Sequence, residues 1–117
     1  MRRDFTFIDD IVSGVVAALH RPPSDDNTAK AGGSQAPHAL YNIGNNRSEP
    51  LLRLIGIIRP ACSRRALIDF HPMQPGDVTQ TCADITSIHA DLGFQPTTPI
   101  DIGIPAFVNW YRAYTSR

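Results

Sequence analysis

Ten prolines in 117 residues set most of the element boundaries in this chain. Proline lacks a backbone N–H and has a fixed φ, so it enters a helix only in the first turn and ends or bends one elsewhere. A helix is predicted from about Asp9 to His20, with Ile8, Ile11, Val12, Val15 and Leu19 recurring at helical spacing, and Pro22-Pro23 ends it. Asp9 and Asp10 suit its positively polarised N-terminus, which rewards negative charge without any metal or acid/base role. Ser48 is expected to cap a second helix that has Pro50 in its first turn and a Leu51, Leu54, Ile55, Ile58 stripe. Pro60 falls late in that helix and Pro105 inside a terminal one, so both helices are expected to be shortened or kinked.

The remaining segments follow from turn and strand signals. Arg3–Ile8, Ala39–Ile43 and Ala66–Phe70 read as short strands, the middle one buried. Residues 24–37, dense in Ser, Asp, Asn, Gly and Pro, read as a flexible loop. Asp84 is placed as the cap of a short helix that turns Ile85, Ile88 and Leu92 inward and stops at Gly93. Thr98, Pro99 and Asp101 start the terminal helix, with Ile100, Ile104, Phe107, Val108, Tyr111 and Tyr114 as its stripe and Trp110 and Tyr111 in the core. The expected class is mixed α/β, a single portion over 1–117 with a few short strands and about four helices.

Charge and cysteine usage narrow the partners. Lys plus Arg and Asp plus Glu each number 11, which leaves no net positive field for nucleic acid. Apolar runs are far too short to span a bilayer, no signal-peptide h-region is seen, and Cys62 and Cys82 lack C-x-x-C spacing. These readings predict a cytoplasmic protein with buried or idle thiols and no membrane partner. His20, His38, His71 and His89 are scattered without metal-ligand spacing, so no metal is expected.

Three segments in order carry a family resemblance: Arg3-Asp4-Phe5-Thr6-Phe7-Ile8-Asp9-Asp10-Ile11-Val12, Tyr41-Asn42-Ile43-Gly44-Asn45, and Pro72-Met73-Gln74-Pro75-Gly76-Asp77-Val78. Together they resemble the C-terminal half of the extended short-chain dehydrogenase/reductases, the NAD-dependent epimerase/dehydratase family, and the third is similar to that of UDP-glucuronate 4-epimerases. Ala83-Asp84, Leu92-Gly93-Phe94-Gln95-Pro96-Thr97-Thr98-Pro99-Ile100 and Phe107-Val108-Asn109-Trp110-Tyr111-Arg112 extend the resemblance over all but the 24–37 loop.

The resemblance implies a C-terminal substrate-binding portion whose Rossmann half is missing. The family's G-x-x-G-x-x-G loop, which presents N–H groups to the NAD pyrophosphate, is absent, as is its Tyr-x-x-x-Lys pair. Lys30 is the only lysine, and Tyr41 and Tyr111 have Asn45 and Thr115 four positions on. The family's cofactor is NAD, none is expected in this chain, and epimerisation by it alone is not expected.

The same resemblance assigns binding roles by position. Arg3 falls on the nucleotide diphosphate, where planar guanidinium donors match phosphate oxygens; a surface arginine is the alternative. Phe5 stands where the broader family often has a hydroxylated aromatic, so only its packing carries over. Asp77 corresponds to a carboxylate that accepts from the ribose, with an ordinary turn aspartate as the alternative. Gln74 replaces a phosphate-binding arginine of galactose-type relatives and can donate without charge. The expected partner is a weakly bound UDP-sugar, and the alternative is a stand-alone, non-catalytic nucleotide-sugar-binding or protein-interaction module. Met1 ahead of Arg2-Arg3-Asp4 fits a start inside a longer ancestral frame, so apolar faces left bare are expected to drive self-association or to need a covering partner.

Overall fold

The structure, a computed structural model, describes residues 1–116. Its elements run β1 (Arg2–Asp4), α1 (Ile8–His20), β2 (Ser48–Pro50), α2 (Leu51–Cys62), α3 (Thr86–Leu92) and α4 (Ile100–Thr115). The strands pair antiparallel, with Arg3 opposite Glu49, and Gln80 adds one parallel bridge at Arg2. The expected class, α/β with four helices and few short strands, is the observed one.

Two packing centres hold the chain together. The first is Ile85, Ile88, Leu92 and Phe94, with Ala17, Tyr41, Ile43 and Ala83 packed around them, so α3 closes against one side of α1. Gly14 permits this approach, because a Cβ there would sit 3.1 Å from the Phe94 ring. The second is α2 against α4, where Ile100 and Val108 are buried.

Short-range sequence signals were met where an element is complete within itself. Ile88 and Leu92 of α3 are buried with Ile85, and Gly93 ends the helix at φ 71°; the N-cap is Ile85 and not Asp84, whose carboxylate accepts from the Thr86 N–H at 2.9 Å one residue earlier. α4 begins directly after Pro99, and Asp9 and Asp10 lie in the first turn of α1.

Several expectations are corrected. Ala39–Ile43 and Ala66–Phe70 form no strand, because neither has a ladder partner among the described residues; Leu40 and Leu67 are exposed. β1 ends at Asp4 instead of running on to Ile8. Ser48 lies in β2, where its hydroxyl donates to the Thr81 carbonyl, and Pro50 occupies the N-cap of α2. Pro105 lies inside α4, which runs on to Thr115 and is not shortened there, whereas α2 does end two residues after Pro60, as expected. Cys82 is exposed and Cys62 half-buried, both as free thiols.

The largest correction concerns the apolar stripes. Ile8, Val12, Val15 and Leu19 of α1 face outward, as do Phe107, Trp110, Tyr111 and Tyr114 of α4, so Trp110 and Tyr111 are not core. The aromatics pack on one another instead, Phe107 tilted against Trp110 with ring centroids 5.7 Å apart and Trp110 stacked on Tyr114 at 5.4 Å. The accessible surface is 8476 Å², against about 6,300 Å² for a compact monomer of 12.8 kDa. The radius of gyration, 18.0 Å, likewise exceeds the roughly 13 Å of a compact chain of this length.

Candidate functional site

Backbone pairing along β1 brings three of the four candidate residues to one edge. The Arg2 N–H donates to the Thr79 carbonyl at 2.9 Å and the Thr81 N–H to the Arg2 carbonyl at 3.2 Å, which lays the segment after Asp77 alongside β1. Before it, the Asp77 N–H donates to the Gln74 carbonyl at 3.1 Å, closing a turn with Pro75 and Gly76 as its central residues. Gly76 has φ 84°, the left-handed value that a type II turn requires at this position and glycine adopts without strain.

The turn is anchored to Arg3. One guanidinium nitrogen donates to Asp77 Oδ1 and the other to the Val78 carbonyl, each at 2.7 Å. Both side chains remain partly open, Arg3 at 22% and Asp77 at 36% exposure. Gln74 is exposed at the head of the same turn. Phe5 lies apart from them, half-buried where two apolar clefts meet: one with Phe7, Ile100 and Ile104, the other between α2 and α4 with Leu54, Ile58 and Tyr111.

Three carboxylates, half-buried Asp4 and buried Glu49 and Asp10, tie together the segments around this edge. Asp4 accepts from the backbone N–H groups of Asn45, Asn46 and Ala83 at 2.8 to 3.1 Å, which ties the Gly44 turn to the segment after Thr81. Gly44 is required there, since a Cβ would stand 2.3 Å from that of Ala83. Glu49, opposite Arg3 in the sheet, is buried under Arg47 and Arg53, and Arg53 reaches on to Asp101 at 2.6 Å, joining β2, α2 and α4. Asp10, 6% exposed, accepts from the backbone N–H groups of Thr97 and Thr98 at 3.1 and 3.0 Å. Burial raises the Asp10 pKa, but these bonds and those of the two threonine hydroxyls outweigh it and hold the pKa below the usual carboxylate value. Sequence reading assigned no tertiary partner to Asp4, Asp10 or Glu49. The one local signal was an acidic residue next to predicted apolar positions.

A guanidinium and a carboxylate at one edge, with an amide beside them, are groups that can donate to anionic oxygens and accept from hydroxyls. A dinucleotide pyrophosphate does not fit the described residues, because Phe7, Pro50, Ile85 and Pro99 precede the four helices where a glycine-rich turn would be needed. The Lys30 ammonium is committed to its own loop, at 2.6 Å from Asp26 and 2.8 Å from the Thr28 carbonyl, and Tyr41 donates to Asp91.

The family model for GDP-mannose 4,6 dehydratase matches residues 1–106. The chain belongs to that family. It corresponds to the C-terminal part of NAD-dependent epimerases and dehydratases, as the three ordered segments implied. It is 35% identical to the protein CapI of Staphylococcus aureus over 97% of this chain and 36% of that one. It is also 35% identical to a probable UDP-glucuronate 4-epimerase of Rhizobium meliloti (strain 1021), over 99% of this chain and 37% of the relative. The structure superposes on the UDP-glucuronic acid 4-epimerase of Bacillus cereus, in complex with UDP-glucuronic acid and NAD, with a TM-score of 0.73 at 27% identity, covering 95% of this chain and 32% of that one. The chain thus spans about a third of the length of the curated relatives it matches. Among the described residues, no helix is long and apolar enough to cross a membrane.

Proposed function

We propose that this chain is the C-terminal, nucleotide-sugar-binding portion of an NAD-dependent nucleotide-sugar epimerase of the UDP-glucuronate 4-epimerase kind, and that it catalyses no epimerisation alone. The observation that supports the reading is the Gln74–Asp77 turn held against Arg3, which gathers a phosphate donor, a neutral donor and a hydroxyl acceptor at one edge. Arg3 would meet the diphosphate, Gln74 would add an uncharged hydrogen bond, and Asp77 would accept from the ribose. Phe5, which lies apart from this edge, would contribute only packing between the apolar clefts that it lines. The sequence has no Tyr-x-x-x-Lys pair for proton transfer at the sugar, and no glycine-rich turn precedes a helix among the described residues, which supports a binding role.

Half a pocket binds weakly. The dissociation constant for UDP-glucuronate is expected to be no tighter than about 1 mM, or roughly 4 kcal/mol. The test incubates the purified chain with UDP-glucuronate and NAD, following products by chromatography and NAD binding by calorimetry. No turnover and no micromolar NAD binding are expected. Turnover that tracks the purified chain, or micromolar NAD binding, would contradict the reading. A stand-alone binding or interaction module is the second reading, favoured by the exposed apolar residues of α1 and α4.

A further inference from the structure

Consecutive residues of β1 grip one exposed segment along its length. Arg3 holds its start, donating to Asp77 Oδ1 and to the Val78 carbonyl at 2.7 Å. Arg2 holds its middle, through the Thr79 carbonyl and the Thr81 N–H. Asp4 holds its end: the Asp4 N–H donates to Thr81 Oγ1 at 3.1 Å, and the Asp4 carboxylate accepts from the Ala83 N–H at 2.8 Å. Residues 76–82 are all exposed, so hydrogen bonds rather than apolar burial keep this segment on β1. The Asp4 carboxylate also accepts from the Asn45 and Asn46 N–H groups at 3.1 Å each, which fastens the segment to the Gly44 turn.

We infer that Asp4 is a positioning residue for ligand binding at the Arg3–Asp77 edge, an inference that rests on the binding role proposed for that edge. Charge alone argues the other way. A carboxylate next in sequence to the guanidinium that is to meet a diphosphate repels the ligand, so a neutral amide in its place would tighten binding. Position gives the opposite sign. An amide nitrogen cannot accept, so in Asp4→Asn at least one of the three backbone donors loses its acceptor, and the segment that carries Asp77 loosens. Arg3 and Asp77 are then ordered only when the ligand arrives, and that ordering is subtracted from its affinity. The two accounts predict opposite changes for one substitution.

Amide-resolved NMR of the whole chain tests the inference, with Asp10→Asn as the control. That variant sets the same amide against backbone donors, but at Thr97 and Thr98. In the ligand-free chain, Asp4→Asn should speed solvent exchange of the Thr81 N–H about 10-fold, and Asp10→Asn should leave it unchanged. In a titration with UDP-glucuronate, Asp4→Asn should raise the dissociation constant about 2- to 10-fold, the cost of ordering one side chain on binding, and Asp10→Asn should not. Thr81→Val removes the acceptor of the Asp4 N–H but no charge, so it should act in the same direction even where Asp4→Asn fails to fold, and Thr81→Ser should match the wild type. Unchanged Thr81 exchange in a folded Asp4→Asn overturns the inference. So does an equal or smaller dissociation constant in that variant, a matching effect of Asp10→Asn, or a Thr81→Val that behaves as Thr81→Ser does. A wild type without shifts at Arg3 and Gln74–Asp77 is a separate result, which removes the binding role itself and this inference with it.

Discussion

Arg3 and Asp77 are 74 residues apart in sequence and share a hydrogen-bonded ion pair of 2.7 Å, so a strand and a type II turn meet at one charged edge. Because the pair is partly solvated, it adds little to stability, and its two members are free to be tested for binding. In a double-mutant cycle of Arg3→Ala and Asp77→Ala, urea denaturation should give a coupling of about 0.2 to 1 kcal/mol. A coupling of several kcal/mol would make the pair a structural anchor instead.

Asp10 should behave in the opposite way. Replacing it with Asn sets an amide nitrogen against the Thr97 and Thr98 donors, and the buried mismatch should cost about 1 to 3 kcal/mol. Because the folded pKa lies below the ordinary 3.8, the folded state binds the proton less tightly than the unfolded one. The stabilisation is therefore complete above about pH 5 and is lost as pH falls through the folded pKa. Denaturation midpoints between about pH 5 and pH 2 should fall more steeply in the wild type than in Asp10→Asn; parallel curves would count against this role.

Two glycines make predictions of opposite sign. Gly44→Ala forces a Cβ to 2.3 Å from Ala83 and should cost about 1 to 3 kcal/mol. Gly56 lies within α2 and has open space around it, so Gly56→Ala should stabilise by about 0.5 to 1 kcal/mol. Melting temperatures of the two variants should move in opposite directions from the wild type.

What the sequence disclosed depended on where each residue's partner lies. α3 was legible because its inward residues Ile88 and Leu92, the Asp84 carboxylate before it and its terminating glycine all lie between Asp84 and Gly93. The α1 and α4 stripes were legible as helical, but periodicity shows only that a face is apolar. It does not show that this chain supplies a cover, and Val12, Val15 and Trp110 are exposed for that reason. Ala39–Ile43 had strand composition without a strand to pair with, whereas β2 at Ser48–Pro50 pairs with no apolar alternation to announce it. The tertiary bonds of Asp10 could not be read because its donors lie 87 and 88 residues away. Resemblance to a family named Arg3, Gln74 and Asp77 together; composition alone left Arg3 and Asp77 as surface and turn residues.

The central claim is that this edge binds the nucleotide diphosphate. An amide-resolved NMR titration with UDP-glucuronate, run on the wild type and on Arg3→Ala, tests it most directly. Shifts should cluster at Arg3 and Gln74–Asp77 with a dissociation constant of about 1 mM or weaker, and should fade in the variant. Shifts confined to other residues, or an unchanged response in Arg3→Ala, would contradict the account.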